Sequence, residues 1–214
     1  MSSDRTRVRR LPEKASTDRA ALDAILDVAK VGHVAFAVDG QPFNLPVGVA
    51  RDHDRLLMHG STGSRLFRAL AAGTPACVTV TLLDGMVLAR SAFESSMHYR
   101  SAMVFGQARE VADKLAALEA ISEQWLPGRW AELRPPNAKE LAATMVLELA
   151  LAGPEAEWSV KVSEAPPEDD PADLDAPVWA GVLPIESRYG DPVPAPDLRG
   201  DPPVPDYLRA WSPG

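Results

Sequence analysis

The rhythm of apolar and polar positions changes several times along this chain, and each change predicts an element. In STDRAALDAILDVAKVG, Leu22, Ile25, Leu26 and Ala29 recur at helical spacing, with Ser16 or Thr17 placed to cap the start and Gly32 to end it. The stretch HVAFAVDGQPFNLPVGVARDHDRLLMHG holds three short apolar runs, divided by Asp39-Gly40 and by the polar group Arg51 to Arg55. Asp-Gly between apolar runs signals a hairpin, so a three-strand antiparallel meander is predicted. SRLFRALAAG puts Leu66, Phe67 and Leu70 on one helical face with Gly73 as its stop. In ACVTVTLL, Val78, Val80 and Leu82 alternate with Thr79 and Thr81, the period of a two-faced strand, and MVLARSAF follows across Asp84-Gly85 as a predicted second hairpin. HYRSAMVFGQAREV reads as a long strand with a bulge or close approach at Gly106.

ADKLAALEAISEQWL has helical spacing, NAKELAAT a shorter helical pattern, and MVLELALAG and EWSVKVS alternate like two further strands. Strands in meander order favour a closed barrel, because closure removes sheet edges. From about Glu164 the composition shifts: 12 of the 20 prolines fall between Ala165 and Gly214, which forbids continued helix or central strand. Yet VWAGVLPI within that tail is apolar and carries Trp179, so the tail is expected to lie along the body or along a second subunit. The predicted organisation is a mobile basic arm over 1–15, a barrel domain over 16–163 and an extended proline-rich tail over 164–214.

A net charge of -8 argues against a nucleic-acid surface, since neutralising phosphates takes a clustered excess of Lys and Arg. The single Cys77 excludes a disulfide framework or a cysteine-rich metal site within one chain. No segment is long and apolar enough to span a bilayer, and the basic start lacks the apolar stretch of a secretory signal, so a cytoplasmic protein is expected. Any anionic ligand must then be met by a few local donors. LLMHGSTGSRLFRAL offers them: a strand ending at His59, then Gly60, Ser61, Thr62, Gly63, Ser64 and Arg65 leading into a helix. Unpaired N–H groups of a first helical turn, three hydroxyls, two glycines and a guanidinium suit a phosphate better than a cap, which would use one hydroxyl. The motif is neither a Walker loop nor a G-x-G-x-x-G fingerprint.

Three stretches in register, FNLPVGVARDHDRLLMHGSTGSRLFRAL, PACVTVTLLDGMVLARSAFESSMHYRSAMVFGQAREV and WAGVLPI, resemble the pyridoxamine 5'-phosphate oxidase-like family of flavin-binding split barrels, and within it the branch described as flavin-nucleotide-binding proteins. The resemblance implies a mainly β fold: a six-stranded antiparallel Greek-key split barrel with peripheral helices, forming a homodimer with FMN in two clefts between subunits. It implies that Ser61, Thr62, Ser64 and Arg65, with Gly60, hold the FMN phosphate and ribityl chain, and that Asn44 and Val47 lie beside the flavin ring. Arg100 and Ser101 match the place where the oxidases carry Arg-Gln, and successive strand residues face opposite ways, so one of the two is expected to reach the cofactor. His59 falls where some nitroimidazole-resistance reductases have a functional histidine, which makes it the candidate catalytic residue; the alternative is a hydrogen bond at the strand end. Trp179 either stacks on the flavin of the neighbouring subunit or anchors the tail. The C-terminal Arg-x-His motif of the pyridoxine-phosphate oxidases is absent from PVPDYLRAW, which counts against vitamin B6 oxidation.

The expected function is that of an FMN-dependent oxidoreductase acting on a small molecule, with NADH or NADPH as candidate reductant. A flavin carrier or sensor, or a related barrel holding deazaflavin or haem, are the alternatives. His33, His53 and His98 show no metal-ligand spacing and read as surface or local hydrogen-bonding groups.

Overall fold

The computed structural model describes residues 4–210. Among these residues ten strands form one curled antiparallel sheet: β1 Ala15–Ser16, β2 Val31–Val38, β3 Gln41–Asp52, β4 Arg55–Ser61, β5 Pro75–Leu88, β6 Ser96–Gln107, β7 Arg109–Glu110, β8 Thr144–Ala150, β9 Glu157–Ser163 and β10 Gly181–Pro184. Their order is β1-β9-β6-β5-β2-β3-β4-β8-β7, with β10 on β5. β6 pairs with β5 and β9, then runs through Ala108 into β7, which pairs with β8. One stretch of chain thereby joins the two ends of the sheet, giving the mainly β split barrel the sequence predicted with more strands than six. Among the described residues no helix is long and apolar enough to cross a membrane.

Helix α1, Arg19–Val28, plugs the barrel with Leu22, Ile25 and Leu26, all buried; each such side chain contributes about 1.5–3 kcal/mol on leaving water. Its cap is Asp18, accepting from the Ala20 N–H, and not Ser16 or Thr17. It also ends at Val28, before Gly32, because Gly32 belongs to β2, where a Cβ would lie 2.8 Å from Val49. Helix α2, Arg65–Ala71, closes the same core with Leu66, Phe67 and Leu70. Helix α3, Lys114–Trp125, covers the other face of β3, β4 and β8, where Ala50, Leu57 and Val146 meet Ala117 and Ile121 in a second apolar cluster. The short helix α4, Ala138–Ala143, starts from a capping box formed by Asn137 and Glu140.

The Asp39-Gly40 hairpin is present, with φ of 52° and 77° at the two residues, as a type I′ turn requires. The second predicted hairpin is not. Asp84 and Gly85 lie inside β5, which continues to Leu88 with a register shift between Leu83 and Gly85; Gly85 lacks the positive φ of such a turn. Asp84 instead accepts two hydrogen bonds from Arg100 across the strand pair, and the chain reverses only after Leu88.

The basic arm expected to be a mobile tail is laid against the sheet: Ala15–Ser16 pairs with β9, Thr6 is buried and Arg5 meets Glu157. The proline-rich tail also follows the body. Asp169, 2 % exposed, accepts from the backbone N–H and the guanidinium of Arg90. Beyond it β10 takes the place beside β5 that β2 leaves, and Tyr207, on helix α5 (Asp206–Ala210), donates to Glu132. Deleting the Asp169 carboxylate strands a partly buried guanidinium, a loss of about 3–5 kcal/mol for a buried pair and less for this one, whose Arg90 is 27 % exposed. Asp169→Ala is expected to make the Ala165–Pro184 stretch proteolysis-sensitive before the barrel melts; equal resistance to the parent protein in limited proteolysis would show that this clamp does not hold the tail.

Candidate functional site

At the end of β4 the expected phosphate residues separate into those already committed and those still free. Ser61 Oγ accepts from the Gly63 N–H at 3.1 Å, and Thr62 gives both its backbone N–H and its hydroxyl to the Ala143 carbonyl at 3.0 and 3.3 Å. Thr62 thereby ties the loop to the end of α4. Ser64 is the N-cap of α2 by backbone but makes no side-chain capping bond, and the first intrahelical bond runs from Arg68 N to Ser64 O. Its hydroxyl and the N–H groups of residues 65–67 remain as donors. Arg65 is exposed, with its guanidinium 4.3 Å above the Phe43 ring, which itself stacks on Phe36. Gly60 has a packing reason: a Cβ there would sit 2.3 Å from the Phe67 ring. Gly60→Ala is expected to cost about 1–3 kcal/mol as an overpacked core, read as a lower unfolding midpoint; an unchanged midpoint would show that Phe67 yields freely.

His59 faces the other way. It lies two residues after Leu57 on β4, on the side covered by α3. Its imidazole is half-buried, Nδ1 is buried without a hydrogen-bond partner, and the Trp125 ring stands 5.7 Å away at 50°. Burial pushes the imidazole below its ordinary value, so the neutral form prevails at neutral pH. A buried polar atom left unsatisfied costs free energy. The strand-end hydrogen bond that would have made His59 a structural residue is not there.

The remaining predicted residues are dispersed. Asn44 is exposed on one face of β3, whereas Val47, on the opposite face, is half-buried and packs against the main core. Arg100 shares the inward face of Ala102 and Val104, where Asp84 takes its guanidinium at 2.8 and 3.0 Å; Ser101 points the other way, between Thr81 and Lys161. A cavity of about 910 Å³ lies beside Arg100, roofed by tail residues 185–189 and walled by Lys30 and Gln124. Trp179 is 68 % exposed, with its ring lying over Gly181 at the start of β10.

Residues 18–156 match the family described as Pyridoxamine 5'-phosphate oxidase. The chain belongs to that family. Among solved structures it is similar to the FAD and haem binding protein from Mycobacterium smegmatis, at 47 % identity and a TM-score of 0.88 over 93 % of this chain and 97 % of that one. It is also similar to the flavocytochrome Anf3 from Azotobacter vinelandii, at 40 % identity and a TM-score of 0.90 over 99 % and 98 % of the two chains. No curated protein matches. The fold is thus that of the flavin-binding oxidase-like split barrels, and of these two relatives one is described as binding FAD and haem and the other as a flavocytochrome.

Two residues of this oxidase-family chain that belong to the site's geometry were not singled out from the sequence. Phe43, under Arg65, reads in FNLPVGV as one more core position. Trp125 closes an ordinary helical pattern, and only the small Gly48 in the facing strand hints that a large ring must fit there.

Proposed function

We propose that this chain is a flavin-dependent oxidoreductase that also holds haem, with flavin nucleotide and haem at separate loci. The observation that carries the reading is His59: a neutral imidazole against Trp125, with Nδ1 on its buried edge and no protein hydrogen bond at Nε2 among the described residues. Neutral imidazole is the form that ligates iron, and His59 would be the residue that holds a haem iron. Arg65, Ser64 and the first-turn N–H groups of α2 form the second locus, suited to a nucleotide phosphate. Among the described residues Arg65 has no carboxylate partner, and its guanidinium can meet an anion while resting on Phe43. Phe43 packs against the main core and His59 against the α3 side, so the two loci use different faces of the β3–β4 pair. A bound flavin supplies exchange between two-electron and one-electron transfers, and a bound haem supplies one-electron transfer. The protein's part is to hold the phosphate, present an uncharged imidazole and keep water from its buried edge. The similarity to an FAD and haem binding protein favours FAD over FMN. An absorption spectrum with flavin and Soret bands, together with the mass of the extracted flavin, tests the reading. Bleaching of the flavin band by NADH or NADPH separates an oxidoreductase from a carrier, and a spectrum with neither band after reconstitution would refute both.

The chain works as a homodimer in this reading. Leu183 pairs with Met86 and Met86 with Met97, so three apolar side chains line up across β10, β5 and β6, and they are 60 %, 40 % and 44 % exposed. A row of that kind suits a covered face. Met86→Glu is expected to raise the dimer dissociation constant by about tenfold or more, since a charge must be desolvated at the contact. Light scattering that shows the same mass for this variant and its parent at micromolar concentration would move the interface elsewhere.

A further inference from the structure

We infer that Trp125 is the positioning residue for His59, seated for that purpose on Gly48; the inference rests on the reading of His59 as an iron ligand. A metal-ligating histidine is ordinarily oriented by a hydrogen bond from its second nitrogen to a carboxylate, carbonyl or water. His59 has no such protein partner at its buried Nδ1. Something other than a polar contact must therefore hold the ring, and the indole of Trp125 is the aromatic group against it, with 5.7 Å between ring centroids.

The seat of that indole is built from both sides. The β3–β4 ladder ends with Val49 against Met58, and Gly48 and His59 are the next residues beyond that pair. A Cβ on Gly48 would lie 2.3 Å from Trp125 Cη2 and 2.5 Å from Cζ2, so only glycine lets the ring lie on the strand beside the imidazole. Trp125 Nε1 donates to the Val49 carbonyl at 2.8 Å, which fixes the ring's rotation. The preceding residue locks the helix end. Gln124 Nε2 donates to the Leu26 carbonyl at 2.8 Å, its Oε1 accepts from the Arg51 N–H at 2.5 Å, and its own carbonyl accepts from Lys30 Nζ at 2.7 Å. Trp125 cannot swing off His59 without breaking its bond to β3, and the C-terminal end of α3 cannot drift without breaking those of Gln124.

The test is a haemin titration of the full-length protein, followed in the Soret region, for Trp125→Ala, Trp125→Phe, Gly48→Ala and His59→Ala, with electron paramagnetic resonance of the ferric form. Flavin affinity and far-ultraviolet circular dichroism report whether each variant is folded. Trp125→Ala is expected to weaken haem binding by about 10–100-fold, the range for losing a ligand's supporting partner, and to broaden the ferric signal into several ligand orientations. Trp125→Phe should recover part of the affinity and a single signal, and Gly48→Ala should resemble Trp125→Ala because it displaces the indole. A proton shift of the His59 ring in the haem-free protein should move on Trp125→Phe, whose smaller ring carries a weaker ring current. Parent-like haem affinity and signal in Trp125→Ala, with binding lost in His59→Ala, would overturn this inference and leave the His59 reading standing. Parent-like affinity in His59→Ala would overturn the His59 reading itself.

Discussion

His59→Ala is expected to remove the Soret band of the reconstituted protein while leaving its flavin band in place. Losing the supporting partner of a metal ligand costs about 10–100-fold in affinity, and losing the ligand costs more, so haem affinity should fall by more than about 100-fold. The substitution should not unfold the chain. It removes a half-buried ring whose Nδ1 has no partner, and so relieves an unsatisfied polar atom at the same time as it opens a small void beside Trp125. Free imidazole in the buffer should restore part of the band by entering that void. Full haem affinity in the variant would place the iron elsewhere. Loss of both bands would point to a structural role for His59.

Arg65→Ala is expected to separate flavin nucleotide from riboflavin. A charge-assisted hydrogen bond is worth roughly 1.5–3 kcal/mol, which corresponds to a rise of about one to two orders of magnitude in the FAD or FMN dissociation constant. Riboflavin has no phosphate, so its affinity should hardly change. Phe43→Leu removes the ring beneath the guanidinium but keeps the charge, and its effect should be smaller, about 0.5–1 kcal/mol for an exposed cation–π contact. Fluorescence titration of each variant with the three flavins reads these differences. Equal losses for riboflavin and the nucleotides in Arg65→Ala would move the phosphate away from α2.

The two Asp-Gly pairs show what the sequence can and cannot disclose. Asp39-Gly40 stands between the paired runs 31–38 and 41–48 and turns; Asp84-Gly85 carries the same letters and does not. What differs is tertiary: Arg100 on the neighbouring strand claims Asp84, and β10 comes to pair with Gly85 from nearly a hundred positions later. Local periodicity found the helices and most strands because each has one dominant apolar face. The contacts of the arm and the tail, such as Arg90 with Asp169, could not be read from the sequence, since they depend on partners that no local pattern names.

The site follows the same division. His59 and Arg65 stand out in the sequence because a histidine and an arginine at a strand-to-helix junction are chemically conspicuous. The partner of Thr62, the Ala143 carbonyl, lies 81 residues away, where no local pattern names it. Trp125 was invisible for a related reason: its meaning comes from Gly48 and His59, brought beside it by the packing of α3 on β3 and β4.

Native mass spectrometry of the protein reconstituted with FAD and haemin tests the two-locus account most directly, because it counts both groups on the same particle. The account predicts a dimer carrying two flavins and two haems, with His59→Ala losing only the haems and Arg65→Ala losing only flavin. A spectrum in which either group displaces the other, so that no particle carries both, would contradict it.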